Sequence, residues 1–211
     1  LPADMCGNGL RCAALYASTQ FSCNSKKIEF TTDAGELNTE ITDTNQVKIG
    51  IPLRNNFKEI NINGVKAYYG NTGVPHTVIL LESLEHINVK AIGKQIRYDS
   101  IFAPSGTNVN FVSFANRQNN SETFNIRTYE RGVEDETLAC GTGTAASAVV
   151  LNQYFGIKPP MNFTTTGGDI LKIDLRFSNE SMNKIEQIFL EGPAVEVFSG
   201  NINLDILMKG L

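Results

Sequence analysis

The sequence lacks the residues from which common metal and cofactor sites are built. It has only two histidines, His76 and His86, in 211 residues, and two are too few for a site with mainly histidine ligands. Its four cysteines form neither a CxxC pair nor any other zinc spacing. No GxGxxG follows a strand-like run and no P-loop is present. The sequence therefore predicts chemistry without a metal, nicotinamide or pyridoxal cofactor.

Charge and long apolar runs are also sparse. Charged residues make up 19% of the chain, the net charge is −4, and the lysines and arginines are scattered, so neither nucleic acid nor an anionic membrane is an expected partner. No apolar stretch approaches the length of a membrane span, and no secretory signal is visible. We therefore expect a cytoplasmic protein with reduced thiols. Because Leu1 lies only five residues before Cys6, we also expect that an N-terminal segment is missing.

The apolar content of 41% is enough for a core, and its periodicity favours strands over helices. Helices are predicted at residues 10–20, at 89–98 and directly after Cys140. Asn and Gly at 55–56 and 61–64 predict a loop that leads to a second domain. The pattern predicts an α+β fold with many antiparallel strands. The strands are expected at 27–32, 36–42, 46–51, on both sides of a Gly/Asn/Pro loop within 67–81, at 108–114, 123–129, 162–166, 170–177, 186–190, 194–198 and 202–208.

Two cysteines share a local pattern that indicates function. Cys6 and Cys140 are each followed by Gly-x-Gly and then by a run of helix-forming residues. A helix N-terminus offers unpaired N–H groups and a partial positive charge, which lower the pKa of a thiol and bind a carboxylate. The repeated pattern predicts two half-sites that face each other.

Two facing thiols suit proton transfer at a carbon atom. A thiolate on one face can remove the proton and a thiol on the other face can return one, because the pKa of a free cysteine is about 8.5. The carbon is then inverted. A carboxylate beside that carbon would stabilise the carbanion if it lay between two helix N-termini. The amides would come from the backbone around Gly7, Asn8, Gly141 and Thr142.

Six short blocks are distributed over the whole chain. They are MCGNGLRC at 5–12, GVPH at 73–76, GTNVNF at 106–111, YERGV at 129–133, ETLACGTG at 136–143 and GPAVEVF at 192–198. In this order they resemble the diaminopimelate epimerase family, a group of cofactor-independent, two-cysteine amino-acid epimerases.

The resemblance implies a fold and a reaction. The fold would be α+β, with two pseudo-symmetric domains that are each an antiparallel-rich strand meander or barrel around a central helix. Residues 1–55 with 192–211 would form the first domain, whose N-terminal part would be missing, and 56–191 the second. The reaction would convert LL-2,6-diaminopimelate to meso-diaminopimelate, a precursor of lysine and peptidoglycan, in a homodimer without a cofactor.

The resemblance also implies roles for individual residues. Cys6 and Cys140 would be the acid/base pair. The reacting carboxylate would bind at Gly7, Asn8, Gly141 and Thr142. Glu130 would stand beside the thiols and contact substrate, while His76 would tune the thiol pair. Asn108 and Arg131 would hold the distal amino and carboxylate groups of the substrate.

The sequence departs from the family pattern at two further points. Thr72, Gly73 and Val74 stand where part of the family has an asparagine before Pro-His, which removes that expected substrate contact. The loop between Glu130 and Cys140 is one residue longer than in some members.

Several other polar residues have a simpler interpretation. Cys12 is expected to pack in the core, Cys23 to lie in a polar loop without a role, and His86 to lie on the surface. Asn108 and Asn110 share a face of an alternating strand, and the family pattern favours Asn108 for the substrate contact.

Two alternatives to the epimerase remain. One is a related two-thiol racemase of another amino acid, such as a proline racemase-like enzyme, although Asn8 and the YERG block argue against that branch. The other is a non-catalytic thiol redox or anion-binding protein, which predicts a readily cycled disulfide between Cys6 and Cys140.

Overall fold

A computed structural model describes residues 6–20, 26–32, 35–114, 123–179 and 181–201. These residues form three α-helices, a short 3-10 helix at Ser100–Phe102 and twelve strands. The helices are α1 (Gly7–Gln20), α2 (Val89–Arg97) and α3 (Gly141–Phe155). The strands are β1 (Lys27–Thr32), β2 (Gly35–Asp43), β3 (Gln46–Ile51), β4 (Asn55–Ile62), β5 (Val65–Asn71), β6 (Pro75–Leu80), β7 (Asn108–Phe114), β8 (Thr123–Glu130), β9 (Asp135–Thr137), β10 (Met161–Thr164), β11 (Ile170–Ser178) and β12 (Ser181–Pro193).

All twelve strands belong to one hydrogen-bonded sheet. Its order is β1-β2-β3-β12-β11-β10-β8-β7-β6-β5-β4, and β9 pairs with β8 outside this path. The β6–β7 and β8–β10 pairs are parallel, and the remaining neighbours run antiparallel. The predicted α+β class with an antiparallel-rich sheet and few helices is confirmed.

Helix α3 lies at the centre of the larger core cluster. Residues 141–151 of this helix are all buried, and the strands that contact it come from both β5–β7 and β11–β12. A helix that is buried on all sides must be apolar or small all round, which explains its run of Gly, Thr, Ala and Ser. The predicted central helix after Cys140 is therefore present.

The outer helices each cover one face of the sheet. Helix α1 packs against β2 and β3 and buries Leu10 and Ala14. Helix α2 packs against β7 and β8, and its first turn is capped by the Asn88 side chain, which accepts a hydrogen bond from the Ala91 amide at 3.0 Å. Strand β6 is consequently buried on both faces, with Val78 in the core around α3 and Ile79 in the smaller core beneath α2.

Two predictions about strands and loops are wrong. The segment 55–62, which the Asn-rich composition placed partly in a loop, is strand β4 and is paired with β5. Only Asn63 and Gly64 form the turn, both with positive φ. The predicted strand at 194–198 is absent because Pro193 ends β12 and has no N–H to continue the ladder.

Some predictions fall outside the described residues or stay untested. The expected strand at 202–208, the loop around Cys23 and part of the turn at 33–35 lie outside the described ranges. The division into 1–55 with 192–211 and 56–191 stays a prediction. Within the described part of the chain, the helices are too short or too polar for any of them to cross a membrane.

Candidate active site

Cys6 immediately precedes α1, as the Gly-x-Gly pattern predicts. The helix begins at Gly7, three residues earlier than expected, so both glycines are already helical. The Gly9 amide donates to Cys6 Sγ at 3.3 Å, and the Leu10 amide donates to the Cys6 carbonyl at 2.9 Å. The exposed Cys6 sulfur therefore lies against the N–H groups of the first turn.

Cys140 occupies the N-cap position of α3. Its backbone is extended, with φ −128° and ψ 103°, and its carbonyl accepts the amide of Thr144 at 2.9 Å. Its Sγ lies 3.6 Å from the Thr142 hydroxyl. Helix α3 thus positions the second sulfur by the same local geometry that α1 gives the first.

The two sulfurs differ in their surroundings. Burial and, after it, the charge of Glu130 raise the pKa of the Cys140 thiol, while the Thr142 hydroxyl and the amides of Gly143 and Thr142 lower it; the net result is a pKa of about 11. Cys140 is therefore a protonated thiol at neutral pH. The expectation that a helix start lowers the thiol pKa is wrong here, because burial outweighs the helix N-terminus.

Arg11 connects the two helix starts. Its side chain is buried, at 5% exposure, and donates to Gly7 O at 3.4 Å, Asn8 Oδ1 at 3.1 Å and Pro193 O at 3.2 Å. A Cβ built on Gly141 would lie 3.9 Å from Arg11 Nη1. A residue of α1 therefore reaches the first turn of α3, next to two of the predicted carboxylate-binding positions.

His76 and the asparagines of β7 lie on the sheet beside α3. His76 is fully buried and is paired in register with Asn108. Asn108 Nδ2 donates to Pro75 O at 3.0 Å, and its Oδ1 accepts the amide of Arg131 at 2.8 Å. Burial, together with the positive charge of Arg131, lowers the pKa of His76 to about 3, so the imidazole is neutral.

A tight turn presents Glu130 and Arg131. The amide of Glu134 donates to Glu130 O at 2.8 Å, and Gly132 has a φ of 94° that suits glycine. The Arg131 guanidinium donates to Ser105 O at 3.1 Å. The charge of Glu130 acts on Cys140, as described above, and that of Arg131 acts on His76, which places this turn beside both groups.

The structure connects most of the predicted site residues that follow β5 to one another. Hydrogen bonds or electrostatic interactions link Cys140 to Thr142 and Glu130, and Arg131 to Asn108 and His76. On the side of the first helix, Arg11 lies near Gly141. The assignment of substrate and catalytic roles to all these residues stays a prediction.

Sequence reasoning missed several neighbours of the site. Arg11 stands in the MCGNGLRC block, but the sequence pattern gave it no role. Its position could have indicated one, because it is the only charged residue in the predicted helix that follows Cys6. Thr72 donates from its hydroxyl to Thr142 O at 2.9 Å. Cys12, expected in the core, is exposed. The surface position of His86 is confirmed by a side chain that is 91% exposed.

The family model and the curated relatives that match this chain carry the same description. The family model described as diaminopimelate epimerase matches residues 68–196. The curated diaminopimelate epimerase of Hydrogenobaculum sp. (strain Y04AAS1) is 42% identical over 214 residues, which cover 97% of this chain and 72% of that protein. The corresponding protein of Aquifex aeolicus (strain VF5) is 39% identical over 212 residues, with the same coverage of 97% and 72%.

Solved structures with low sequence identity share the fold. A phenazine biosynthesis protein of the PhzF family from Bacillus anthracis superposes with a TM-score of 0.67 at 14% identity, covering 90% of this chain and 73% of that one. A hydroxyproline epimerase from Agrobacterium vitis, solved with trans-4-hydroxy-L-proline, gives a TM-score of 0.60 at 16% identity, covering 87% and 61%.

Proposed function

The chain belongs to the diaminopimelate epimerase family, and we propose that it inverts its substrate by moving protons between two cysteines. It is an isomerase, an epimerase that interconverts LL- and meso-2,6-diaminopimelate. The observation that carries the two-thiol mechanism is Cys140 at the N-cap of α3, buried and protonated at neutral pH. A buried thiol at a helix start is placed to donate a proton next to amides that can bind an anion.

The proton transfer is balanced between the two sulfurs. Cys6, as thiolate, takes the α-proton, and the electron pair of the broken C–H bond passes into the substrate's carboxylate system. Cys140 gives its S–H proton to the opposite face of the carbon. The carbon is inverted, Cys6 is then a thiol and Cys140 a thiolate, and turnover in the opposite direction uses this second state.

The negative charge that develops on the substrate needs fixed donors. Amides at the start of α1, at Gly7 and Asn8, and at the start of α3, at Gly141 and Thr142, would hold the carboxylate of the reacting centre. Because these donors are part of two anchored helices, they need little reorganisation during the reaction. Arg11 supports this arrangement by bonding to both Gly7 and Asn8.

The residues on the sheet side would recognise the rest of the substrate. Asn108 and Arg131 are joined by a hydrogen bond and would hold the distal amino and carboxylate groups. Glu130 would contact substrate beside Cys140, whose pKa it raises. His76 would act on the thiol pair as a neutral ring.

Assembly, location and domain limits complete the proposal. A homodimer is supported by exposed apolar side chains, Tyr16 on α1 and Val195, Val197 and Phe198 after β12.

We place the enzyme in the cytoplasm, in the pathway to lysine and peptidoglycan precursors. Residues 1–55 with 192–211, and 56–191, would form the two domains, each with one cysteine-bearing helix start.

Proton exchange in D₂O tests the substrate. Reduced protein is incubated separately with LL-diaminopimelate and with L-proline, and the α-proton signal is followed by NMR. We expect loss of the signal with diaminopimelate and none with proline, because in this proposal Asn108 and Arg131 bind a second, distal amino-acid group that proline lacks. Exchange with proline alone would assign the chain to the proline branch, and exchange with neither would refute the epimerase mechanism.

A further inference from the structure

Asn110 forms a buried bridge between His76, the sheet and α3. Its Nδ2 lies 3.1 Å from His76 Nδ1 and 3.1 Å from Thr77 O, and its Oδ1 accepts the Thr128 hydroxyl at 3.1 Å. Asn110 is fully buried. A Cβ built on Gly143 would lie only 2.1 Å from Asn110 Oδ1 and 3.3 Å from Cys140 Sγ, so this amide packs against the first turn of α3, beside the second sulfur.

The orientation of the Asn110 amide follows from its neighbours. Thr77 O is a carbonyl oxygen and can only accept a hydrogen bond. If the amide were rotated by half a turn, Asn110 Oδ1 would face this carbonyl, and two acceptors would be in contact. The NH₂ group therefore faces Thr77 O, and its second hydrogen points to His76 Nδ1.

This arrangement determines the tautomer of His76. A ring nitrogen that accepts a hydrogen bond carries no proton, so a neutral imidazole must carry its proton on Nε2. His76 Nε2 is buried and has no hydrogen-bond partner within the described part of the chain. A buried N–H group without a partner is costly, and an anion bound in the site would satisfy it.

We propose that Asn110 is a positioning residue that holds His76 as a permanent Nε2–H donor, and that His76 gives this hydrogen bond to negative charge in the active site. The acceptor is an anion, either a thiolate of the cysteine pair or a carboxylate of the substrate. In either case His76 does not accept a proton from a thiol, because its Nε2 already carries one.

The charged surroundings of His76 agree with a neutral ring. Arg131 is the charged group that acts on the ring, and it disfavours the imidazolium form. Strand β5 places Gly70 opposite His76, and its Lys66 is exposed and paired with Glu59. Strand β7 and helix α3 carry no charged residue. On the α3 side, Gly143 packs against both Asn110 and the Cys140 sulfur, and the Cys140 thiol is protonated at neutral pH.

Nitrogen NMR of the histidines tests the tautomer without substrate. His86→Gln removes the other histidine of the chain, an exposed residue outside the site. In ¹⁵N-histidine-labelled protein we expect a pyrrole-type signal for Nε2, a pyridine-type signal for Nδ1, and no titration from about pH 5 to about pH 9. A protonated Nδ1, or a ring that titrates near its usual pKa of about 6.5, would overturn the proposal.

Substitution of Asn110 tests its role. Asn110→Asp replaces the NH₂ group by an acceptor, which should draw the proton onto Nδ1 and raise the pKa of His76. We expect kcat to fall roughly 100-fold with little change in KM and the NMR tautomer to change. Thr128→Val is the matched control, because it removes only the hydroxyl that donates to Asn110 Oδ1; its tautomer should stay and its kcat should fall less than about 10-fold.

The outcomes separate this inference from the proposed function. Only the measurement of kcat and KM rests on that proposed function. A folded Asn110→Asp protein with the wild-type tautomer and kcat would refute the role of Asn110. If that variant does not fold, the wild-type spectrum decides. Movement of the Nε2 signal on addition of meso-diaminopimelate identifies the substrate as acceptor, and movement in Cys6→Ala without substrate identifies the thiol. A protein with the expected tautomer but no proton exchange would refute the epimerase mechanism alone.

Discussion

At the scale of single residues, the chemistry of Cys140 depends on two opposing effects. The start of α3 offers amides that favour a thiolate, whereas burial favours the thiol. Burial is the larger effect and raises the pKa to about 11. A sulfur in this state is suited to donate a proton first and to become a base only after it has done so.

Alkylation rates test this protonation state. Because the thiolate is the reactive form, a pKa near 11 means that the reactive fraction of Cys140 falls about tenfold for each pH unit below that value. We expect iodoacetamide to modify Cys140 much more slowly than Cys12 at neutral pH, with a rate that rises as the pH approaches about 11. Quenched alkylation followed by peptide mass spectrometry measures both rates. Equal rates for Cys140 and the exposed Cys12 at neutral pH would contradict the assignment.

The local patterns predicted the sulfur positions but not their environments. Gly-x-Gly followed by small residues was sufficient to place Cys6 and Cys140 at helix starts, because this geometry depends on neighbouring residues in the chain. Burial of Cys140 and the Asn110–His76 contact depend on residues more than thirty positions apart, since β6 and β7 meet only in the folded sheet. The alternating pattern identified the shared face of Asn108 and Asn110 but not the different partners of the two.

At the scale of secondary-structure elements, Arg11 fixes the start of α1 to the end of β12. Its guanidinium group binds Gly7 and Asn8 of the helix and Pro193 O. Three separate acceptors match the planar fork of arginine, and a lysine ammonium cannot reach them in the same geometry. The position of the predicted carboxylate-binding amides therefore depends on this side chain.

Substitution of Arg11 should lower both stability and substrate affinity. Arg11→Lys keeps the charge but loses the fork, so we expect the free energy of unfolding to fall by about 1–3 kcal/mol and KM to rise because Asn8 loses its partner. Urea unfolding and steady-state kinetics measure these effects. Arg54→Lys, at an exposed arginine, is the control and should change the free energy of unfolding by less than about 0.5 kcal/mol. Indistinguishable results for the two variants would contradict an anchoring role for Arg11.

The wrong assignments at this scale have a common cause. Asn-rich composition favoured a loop at 55–56 and 61–64, but pairing with β5 and burial of Phe57 and Ile62 make 55–62 a strand. The apolar residues of 194–198 favoured a strand, but Pro193 ends the ladder and Val195 and Val197 are exposed. Pairing with β5 overrode the local preference at 55–62, whereas the apolar residues of 194–198 have no strand partner among the described residues.

At the scale of the whole molecule, strand pairing brings distant parts of the chain together. Strand β3 pairs with β12 from Ile51↔Ile188 to Gln46↔Pro193. Because α1 packs against β3 and α3 packs against β12, this pairing joins the parts of the chain that carry the two helices. Composition and periodicity were sufficient for the α+β class, because they report local structure. The strand order was not predictable in this way, because pairings such as β3–β12 depend on contacts between distant segments.

Proton exchange by single-cysteine variants tests the two-thiol mechanism most directly. Cys6→Ala, Cys140→Ala and the control Cys12→Ala are each incubated in D₂O with LL- and with meso-diaminopimelate, and both α-proton exchange and change of configuration are followed by NMR. We predict that epimerisation falls at least about 1,000-fold in the first two variants and stays within about threefold of wild type in the third. Epimerisation at the wild-type rate in either Cys6→Ala or Cys140→Ala would contradict the mechanism.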